Sequence, residues 1–442
     1  MATETASDAS PAAAGVQAQR RTRVRFGILA LLAIGTAINY LDRSVLGIAA
    51  PGLSKELGLS AVAMGFVFSA FSWTYTLAQI PGGIFLDRFG AKLTYFLSVT
   101  FWSCFILLHG FASNLATLLG YRFGLGVAEA PCFPANSRIV AHWFPQQERA
   151  RATSIYTVGE YVGLAFLSPL LFAVMGSYGW RSLFILVGVI GLLFGLLWWR
   201  CYREPHHSRS VNQAELEYIR EGGGLDSGHS EKGEPFSWSN FRKLLRYRQI
   251  WGAGIGQFAG NVTLVFFLTW FPTYLVTERH MGWLKIGFFA VMPFLAAAVG
   301  VLAGGWLSDK LLIRSGSANL ARKLPITGGL LLASTIVSAN WVQSDLAVIA
   351  IMSVAFFGQG MVGLGWTVIS DVAPKHLIGL SGGLFNLCTN CAGIITPLVI
   401  GYIVAATGSF VWALVFVGAM ALVGVFSYIF VLGDVRRIDI DA

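Results

Sequence analysis

"GGIFLDRFGAK" (82–92) and "GGWLSDKLLIR" (304–314) stand 222 residues apart, half the length of the chain, and repeat one pattern. Each has paired glycines, an acid five residues after the first glycine, and a base directly after the acid: Asp87-Arg88 and Asp309-Lys310. Each closes a long apolar run. A motif that recurs at half-length in an apolar chain points to two homologous halves, the sequence sign of a pseudo-symmetric membrane carrier.

Working outward, the runs before and after these motifs have spanning length. Stretches at about 26–50, 61–83, 93–111, 114–137, 153–175 and 180–200 are apolar, and six more follow near 249–276, 286–307, 324–341, 346–371, 378–405 and 410–432. A helix of roughly 20 residues crosses a hydrocarbon core about 30 Å thick. The expected fold is all-α: twelve transmembrane helices in two six-helix bundles. The domain reading is a disordered tail at 1–25, a first bundle at 26–200, a linker at 201–248, a second bundle at 249–432 and a tail at 433–442. Composition agrees. Only 12% of residues are charged and 55% are hydrophobic, with 51 glycines, whereas soluble domains carry about 25% charged residues. The first run is too long for a signal-peptide core and no cleavage site follows it convincingly, so it reads as a retained span.

The net charge of +9 raises nucleic acid as a partner, but the placement of the bases excludes it. Twenty-five of the 31 lysines and arginines fall before the first span, in the linker, in alternate connections or after the last span. Four lie on the opposite side, and Arg43 and Arg122 lie within spans. By the positive-inside rule both termini are cytoplasmic. The five cysteines, mostly within apolar runs, do not read as a disulfide framework. Cys388-x-x-Cys391 lacks a second ligand pair and reads as small residues packing on a helix. No H-E-x-x-H, G-x-S-x-G or P-loop occurs, so no enzyme, catalytic residue, metal or cofactor is expected. Within the linker, "NQAELEYIREGG" (212–223) reads as a short surface helix ending on glycines, and the linker as a whole as a tether without chemistry.

Charged residues at membrane depth are costly and functional by default. Asp42 and Arg43 in the first span, Arg122 and Glu129 in the fourth, and Glu160 in the fifth all belong to the first half, while spans seven to twelve carry no mid-depth acid or base. Adjacent residues are about 100° apart on a helix, so Asp42 and Arg43 face different neighbours. Tyr40 shares the face of Arg43, and Asp42 is expected to turn to the fourth span and pair with Arg122.

Taken together, "NYLDRS" (39–44), "GFVFSAFSWTYTLAQIPGG" (65–83), "RFGLGVAEAPCFPANSRIVAHWFPQQERA" (122–150), "FFLTWFPTYL" (266–275) and "IGLSGGLFNL" (378–387) resemble the major facilitator superfamily. Within it the chain is similar to the bacterial sugar-acid permeases of the anion:cation symporter family. The resemblance implies Arg43, Tyr40, Tyr75, Glu160, Trp366 and Asn386 as substrate-binding residues. It implies Asp42 and Glu129 as proton-carrying acids, with Arg122 answering Asp42. It makes Gly82, Gly83, Asp87, Arg88 and Gly90 a cytoplasmic gating motif. The expected function is proton-coupled import of D-glucarate or galactarate across the bacterial inner membrane by a monomer, with a small anion and protons as its partners besides the lipid bilayer. D-Galactonate, hexuronate or tartrate symport is the alternative within the family, and a non-transporting membrane sensor the alternative outside it.

Overall fold

The computed structural model describes residues 21–224, 238–374 and 377–439. The tail before residue 21, the middle of the linker at 225–237, Lys375, His376 and the last three residues lie outside the described residues. Most of the rest is helical. Among the described residues, nine helices are long and apolar enough to cross a membrane alone. Two of these are double crossings. Ala61–His109 breaks at Gly90 (φ 77°, ψ 167°), and Gln146–Cys201 breaks at Gly179 (φ 76°, ψ 177°). A further crossing is built from two shorter pieces, Leu115–Glu129 and Cys132–Trp143, parted at Pro131. Counted this way, the helices make twelve crossings in the expected order.

The helices overshoot the apolar stretches. The first runs over Val24–Leu57 and the eighth crossing over Trp283–Ser315, each ending on a glycine in the left-handed conformation (Gly58, φ 63°; Gly316, φ 63°). Backbone hydrogen bonding continues beyond the hydrocarbon until a residue that tolerates positive φ can cap it. The tenth crossing is the irregular one. Asp345–Met361 tightens at Val362–Leu364 before continuing as Gly365–Val372.

The halves touch along three seams, between crossings 1 and 7, 2 and 11, and 5 and 8. Glycines mark each of them. A Cβ on Gly47 would lie 2.5 Å from the Leu268 carbonyl, one on Gly65 2.7 Å from that of Pro397, and one on Gly401 2.7 Å from that of Ala61. Gly287 faces Pro169, its Cβ position 3.3 Å from the Pro169 Cα. These contacts all lie in the half of the molecule away from the two chain ends. Toward the chain ends, crossings 2 and 11 part: Leu77, Ile80 and Ile84 are exposed, and Gly382 and Gly383 face open space. The interior is therefore closed on the far face and open on the face that carries the termini.

The repeated motif has repeated packing. Gly82 lies against Pro131 and Gly304 against Met361, each in the fourth crossing of its half, while Gly83 and Gly305 face nothing. Asp87 pairs at 3.4 Å with Arg138, which also donates to the Leu86 carbonyl at 3.0 Å. Cys388 packs its sulfur 3.0 Å from the Cβ position of Gly254, as a small residue at a helix contact.

Two expectations are corrected on the terminal face. The tail does not extend to residue 25, and the linker is not a plain tether. Its helix Gln213–Glu221, capped by Asn212, docks on the first half. The Glu215 side chain is wholly buried and accepts from Thr22 Oγ1 (2.6 Å), the Val24 amide (3.1 Å) and Arg25 Nη1 (2.9 Å). Arg25 also pairs with Glu148 at 3.0 Å, and the Tyr218 hydroxyl donates to Glu148 at 2.8 Å. That hydrogen bond to Glu148 holds the Tyr218 phenol above its ordinary range, so the contact is kept through neutral pH and is lost only in strong alkali. Local composition concealed this, because a polar Gly-rich segment can dock when a buried charge pair supplies what apolar area does not.

Two outcomes follow from this geometry. Gly90→Ala forces a side chain into a conformation that costs about 1–3 kcal/mol, so the thermal midpoint of the purified protein falls, while Gly83→Ala, in open helix where alanine is the better helix former, leaves it the same or slightly higher. Glu215→Ala leaves Arg25 with Glu148 alone, removes the acceptor of Thr22 and the Val24 amide, and undocks the linker helix, at a cost of about 1–3 kcal/mol. Trypsin cleavage after Arg220 should then accelerate at least tenfold without change in the rest of the digest.

Candidate functional site

The first crossing carries its polar residues on two faces, as the spacing requires. Arg43 lies in the interior of the first half, and its guanidinium is ringed by aromatic side chains. Its Cζ stands 5.1 Å from the Tyr40 ring centroid, 5.0 Å from Phe71, 4.9 Å from Tyr75 and 5.9 Å from Phe133. Arginine stacks on such faces through its planar, weakly hydrated cation. Tyr75 stacks on Phe71 at 5.2 Å, and Tyr40 meets Phe133 edge-on at 6.3 Å. Phe71 and Phe133 were not singled out by sequence. For Phe71 the signal was available, since it lies one turn before Tyr75 on the same helix face; for Phe133 it was not, because the helix breaks at Pro131 between it and Glu129.

Arg43 is not free. Its Nε donates to Glu129 Oε1 at 2.6 Å, and its Nη2 meets the same oxygen. Glu129 is wholly buried, with Asn39 beside it. The two residues assigned by sequence to separate tasks, anion binding and proton carriage, form one ion pair.

The expected Asp42–Arg122 pair is not formed. Arg122 donates instead to the carbonyls of Val67 (3.3 Å) and Phe68 (3.5 Å) and stands 5.2 Å from the Phe71 ring centroid. Asp42 is buried, with neither carboxylate oxygen hydrogen-bonded and the Trp102 indole as its neighbour. The reason lies in helical rise. Arg122 and Glu129 are seven residues apart, about 10 Å along the axis, whereas Asp42 and Arg43 differ in height by about 1.5 Å. Once Glu129 stands level with Arg43, Arg122 stands at another level from Asp42.

Glu160 is buried beside the Tyr40 hydroxyl and within the field of Arg43. Its place is set by the tight packing of crossings 1 and 5, where a Cβ on Gly163 would come 2.6 Å from that of Ala37. The structure thus gathers Arg43, Tyr40, Tyr75, Glu129 and Glu160 into one cluster. Trp366 and Asn386 belong to the second half. Trp366 meets Phe385 edge-on at 4.9 Å, and Asn386 accepts from Asn390 at 3.2 Å. Neither shares a hydrogen bond, ion pair or ring contact with the Arg43 cluster among the described residues.

A buried ion pair framed by aromatic rings, inside a double bundle open on one face, defines a carrier for a small charged solute. Residues 32–397 match the family model described as Major Facilitator Superfamily, and the chain belongs to that superfamily. It is a multi-pass membrane transport protein and not an enzyme. It is 45% identical to a probable galactarate/D-glucarate transporter of Escherichia coli K12, with 98% of each chain covered. It is 44% identical to a D-galactonate transporter of Escherichia coli O6:H1, over 96% of this chain and 99% of the relative. A probable galactarate/D-glucarate transporter of Bacillus subtilis is 44% identical over 95% of this chain and 94% of its own length. Among solved structures, the inward-facing, occupied form of a bacterial homologue of the human lysosomal transporter Spinster superposes with a TM-score of 0.73 at 19% identity, covering 92% of this chain and 96% of its own. That likeness shows the fold.

The Arg43–Glu129 pair can be tested without a substrate. Arg43→Met alone leaves a buried carboxylate unanswered and should cost about 3–5 kcal/mol, whereas the double variant with Glu129→Leu should recover most of that loss. Thermal unfolding in detergent of the wild type, the two single variants and the double variant measures the coupling.

Proposed function

We propose that this protein imports a sugar acid, D-glucarate or galactarate, together with protons by alternating access, with the terminal face cytoplasmic. The observation that carries this reading is the buried Arg43–Glu129 pair. Arg43 is the one guanidinium of the cluster whose fork meets a carboxylate, and a planar fork is the group that recognises carboxylates through paired charge-assisted hydrogen bonds. In the structure Glu129 occupies it. A cargo carboxylate takes that place only when Glu129 gives up its charge, and a proton does this without moving the backbone. Anion binding and proton binding then become one exchange on a single cation. The relatives named as galactarate/D-glucarate transporters support the choice of acid, and the excess of lysine and arginine on the terminal face supports the orientation.

Electrical work sets the number of protons. A dianion entering a cell held at 100 mV, negative inside, climbs about 2.3 kcal/mol for each charge, so two protons are needed to cancel its charge. Glu129 takes one. Asp42 takes the other: an ionised carboxylate at that depth with no cation partner would cost several kcal/mol, so the neutral acid is the form this arrangement holds. Trp366 and Asn386 present the opposing wall from the second half, which the substrate bridges as the halves rock about the seams. The gating motif acts on the terminal face. Asp87 and Arg138 tie the second crossing to the fourth within the first half, and Gly90 gives the short turn that lets this corner approach crossing 11 when that face closes. Arg122, held on backbone carbonyls beside Phe71, is free to answer Glu129 or Asp42 in other states of the cycle.

In proteoliposomes, an inward-directed proton gradient should accumulate labelled D-glucarate above the external level. Glu129→Gln should abolish accumulation while retaining substrate exchange, and Asp42→Asn should do the same. Gradient-driven accumulation by either variant at the wild-type level would remove that acid from the proton path.

A further inference from the structure

The cluster around Arg43 contains two carboxyls, and the proposed exchange uses only that of Glu129. Glu160 is 5% exposed, so it is as enclosed as the pair it adjoins. It is held there by covalent and packing constraints. Gly159 and Gly163 on either side of it press against Ala33 and Ala37 of the first crossing, which leaves the Glu160 carboxyl beside Tyr40, one turn further along. The titratable or charged groups that face it are Tyr40 and Arg43 from the first crossing and Tyr156 and Tyr161 from its own. On the second-half side the Tyr161 ring is covered by Phe356 of the tenth crossing, 5.9 Å away, and spans seven to twelve offer no Asp, Glu, Lys, Arg or His at this depth. One cation, already engaged by Glu129, therefore stands among both acids of the cluster. Glu160 is left with a phenol.

We propose that Glu160 is a specificity device whose proton decides what the far end of the cargo can be. The inference rests on the reading of the cluster as a sugar-acid site. When ionised, Glu160 accepts hydrogen bonds from the hydroxyls of a monocarboxylic sugar acid anchored at Arg43, and it repels a second carboxylate. When protonated, it loses that repulsion and donates its O–H to the second carboxylate of a dicarboxylic acid. Like charges brought together in a water-poor site discriminate strongly against the wrong partner. The step is a simple ionisation. The Glu160 O–H bond breaks, the pair stays on the carboxylate, and the proton leaves to water on the open terminal face, which makes it a third proton that can travel with a dicarboxylate but not with a monocarboxylate.

The test is counterflow in proteoliposomes with the same pH on both sides, so that no gradient drives either compound. Labelled D-glucarate and labelled D-galactonate are compared between pH 5.5 and pH 8, where both acids are fully ionised in solution. For the wild-type chain, the ratio of glucarate to galactonate exchange should fall as pH rises, approaching tenfold per pH unit once most carriers have lost the proton. In Glu160→Gln, which keeps the shape and a donor but cannot ionise, the ratio should become independent of pH. A flat ratio in the wild-type chain would overturn the proposal, and it needs no variant to fold. A pH-dependent ratio that persists in Glu160→Gln would overturn it as well, by placing the discrimination elsewhere. Failure of the wild-type chain to exchange either compound at any pH would remove the sugar-acid reading itself, and the assignment of Glu160 with it.

Discussion

A guanidinium at the depth of a bilayer can keep its charge only where other groups replace the water it has lost. Here Arg43 is answered twice over, by the Glu129 carboxylate and by the faces of four aromatic rings. The rings come from crossings 1, 2 and 4, so the pair cannot form until these three helices are packed. Much of the first half is arranged to that end. Gly126 lies under the second crossing, where a Cβ would sit 2.4 Å from the Phe71 carbonyl, and this close approach brings Phe71 and Tyr75 over the cation. On the exchange proposed above, the stabilising interaction and the working interaction are the same one, and binding cargo disturbs the core of the first half.

The second half answers with shape rather than charge. Its crossings 7 and 10 meet through Gly260 against Val362, with a Cβ position 2.6 Å away, and Gly365 lies against Gln257. These contacts surround the tight turn at Val362–Leu364 that sets Trp366 at the start of the next helical piece. Small residues also form the seams between the halves. Glycine against a backbone carbonyl gives close contact with little side-chain interlocking, a surface over which two rigid bundles can rock. The division is therefore one of charge in the first half, and of close-packed glycine and exposed aromatics in the second.

On the terminal face, polar chemistry holds the ends of crossings together. Thr22, Arg25, Glu148, Glu215 and Tyr218 form one hydrogen-bonded set that joins the start of the first crossing, the first turn of the fifth and the linker helix. Glu215 makes the linker a strut of the first half along part of its length. A carrier open on this face needs such ties, because the apolar seams lie at the other end.

Much of the fold was legible in the sequence. Twelve apolar runs, the 222-residue repeat of the glycine-acid-base motif and the bias of basic residues specify two helical bundles, because spanning length and charge placement are set by the bilayer rather than by neighbours. The helix of the linker was legible too, through its cap and its glycines. So was the fact that Asp42 and Arg43 face apart, since 100° per residue follows from the helix itself. Which neighbour each would meet was not. Pairing depends on the relative heights of helices, and a shift of two turns between crossings 1 and 4 exchanges Glu129 for Arg122 opposite the first crossing. Sequence spacing measures distance along a helix and never between two. The Arg43–Glu129 pair, the ring of Phe71 and Phe133, the isolation of Asp42 and the burial of Glu215 were all decided by that packing, which only the tertiary structure contains.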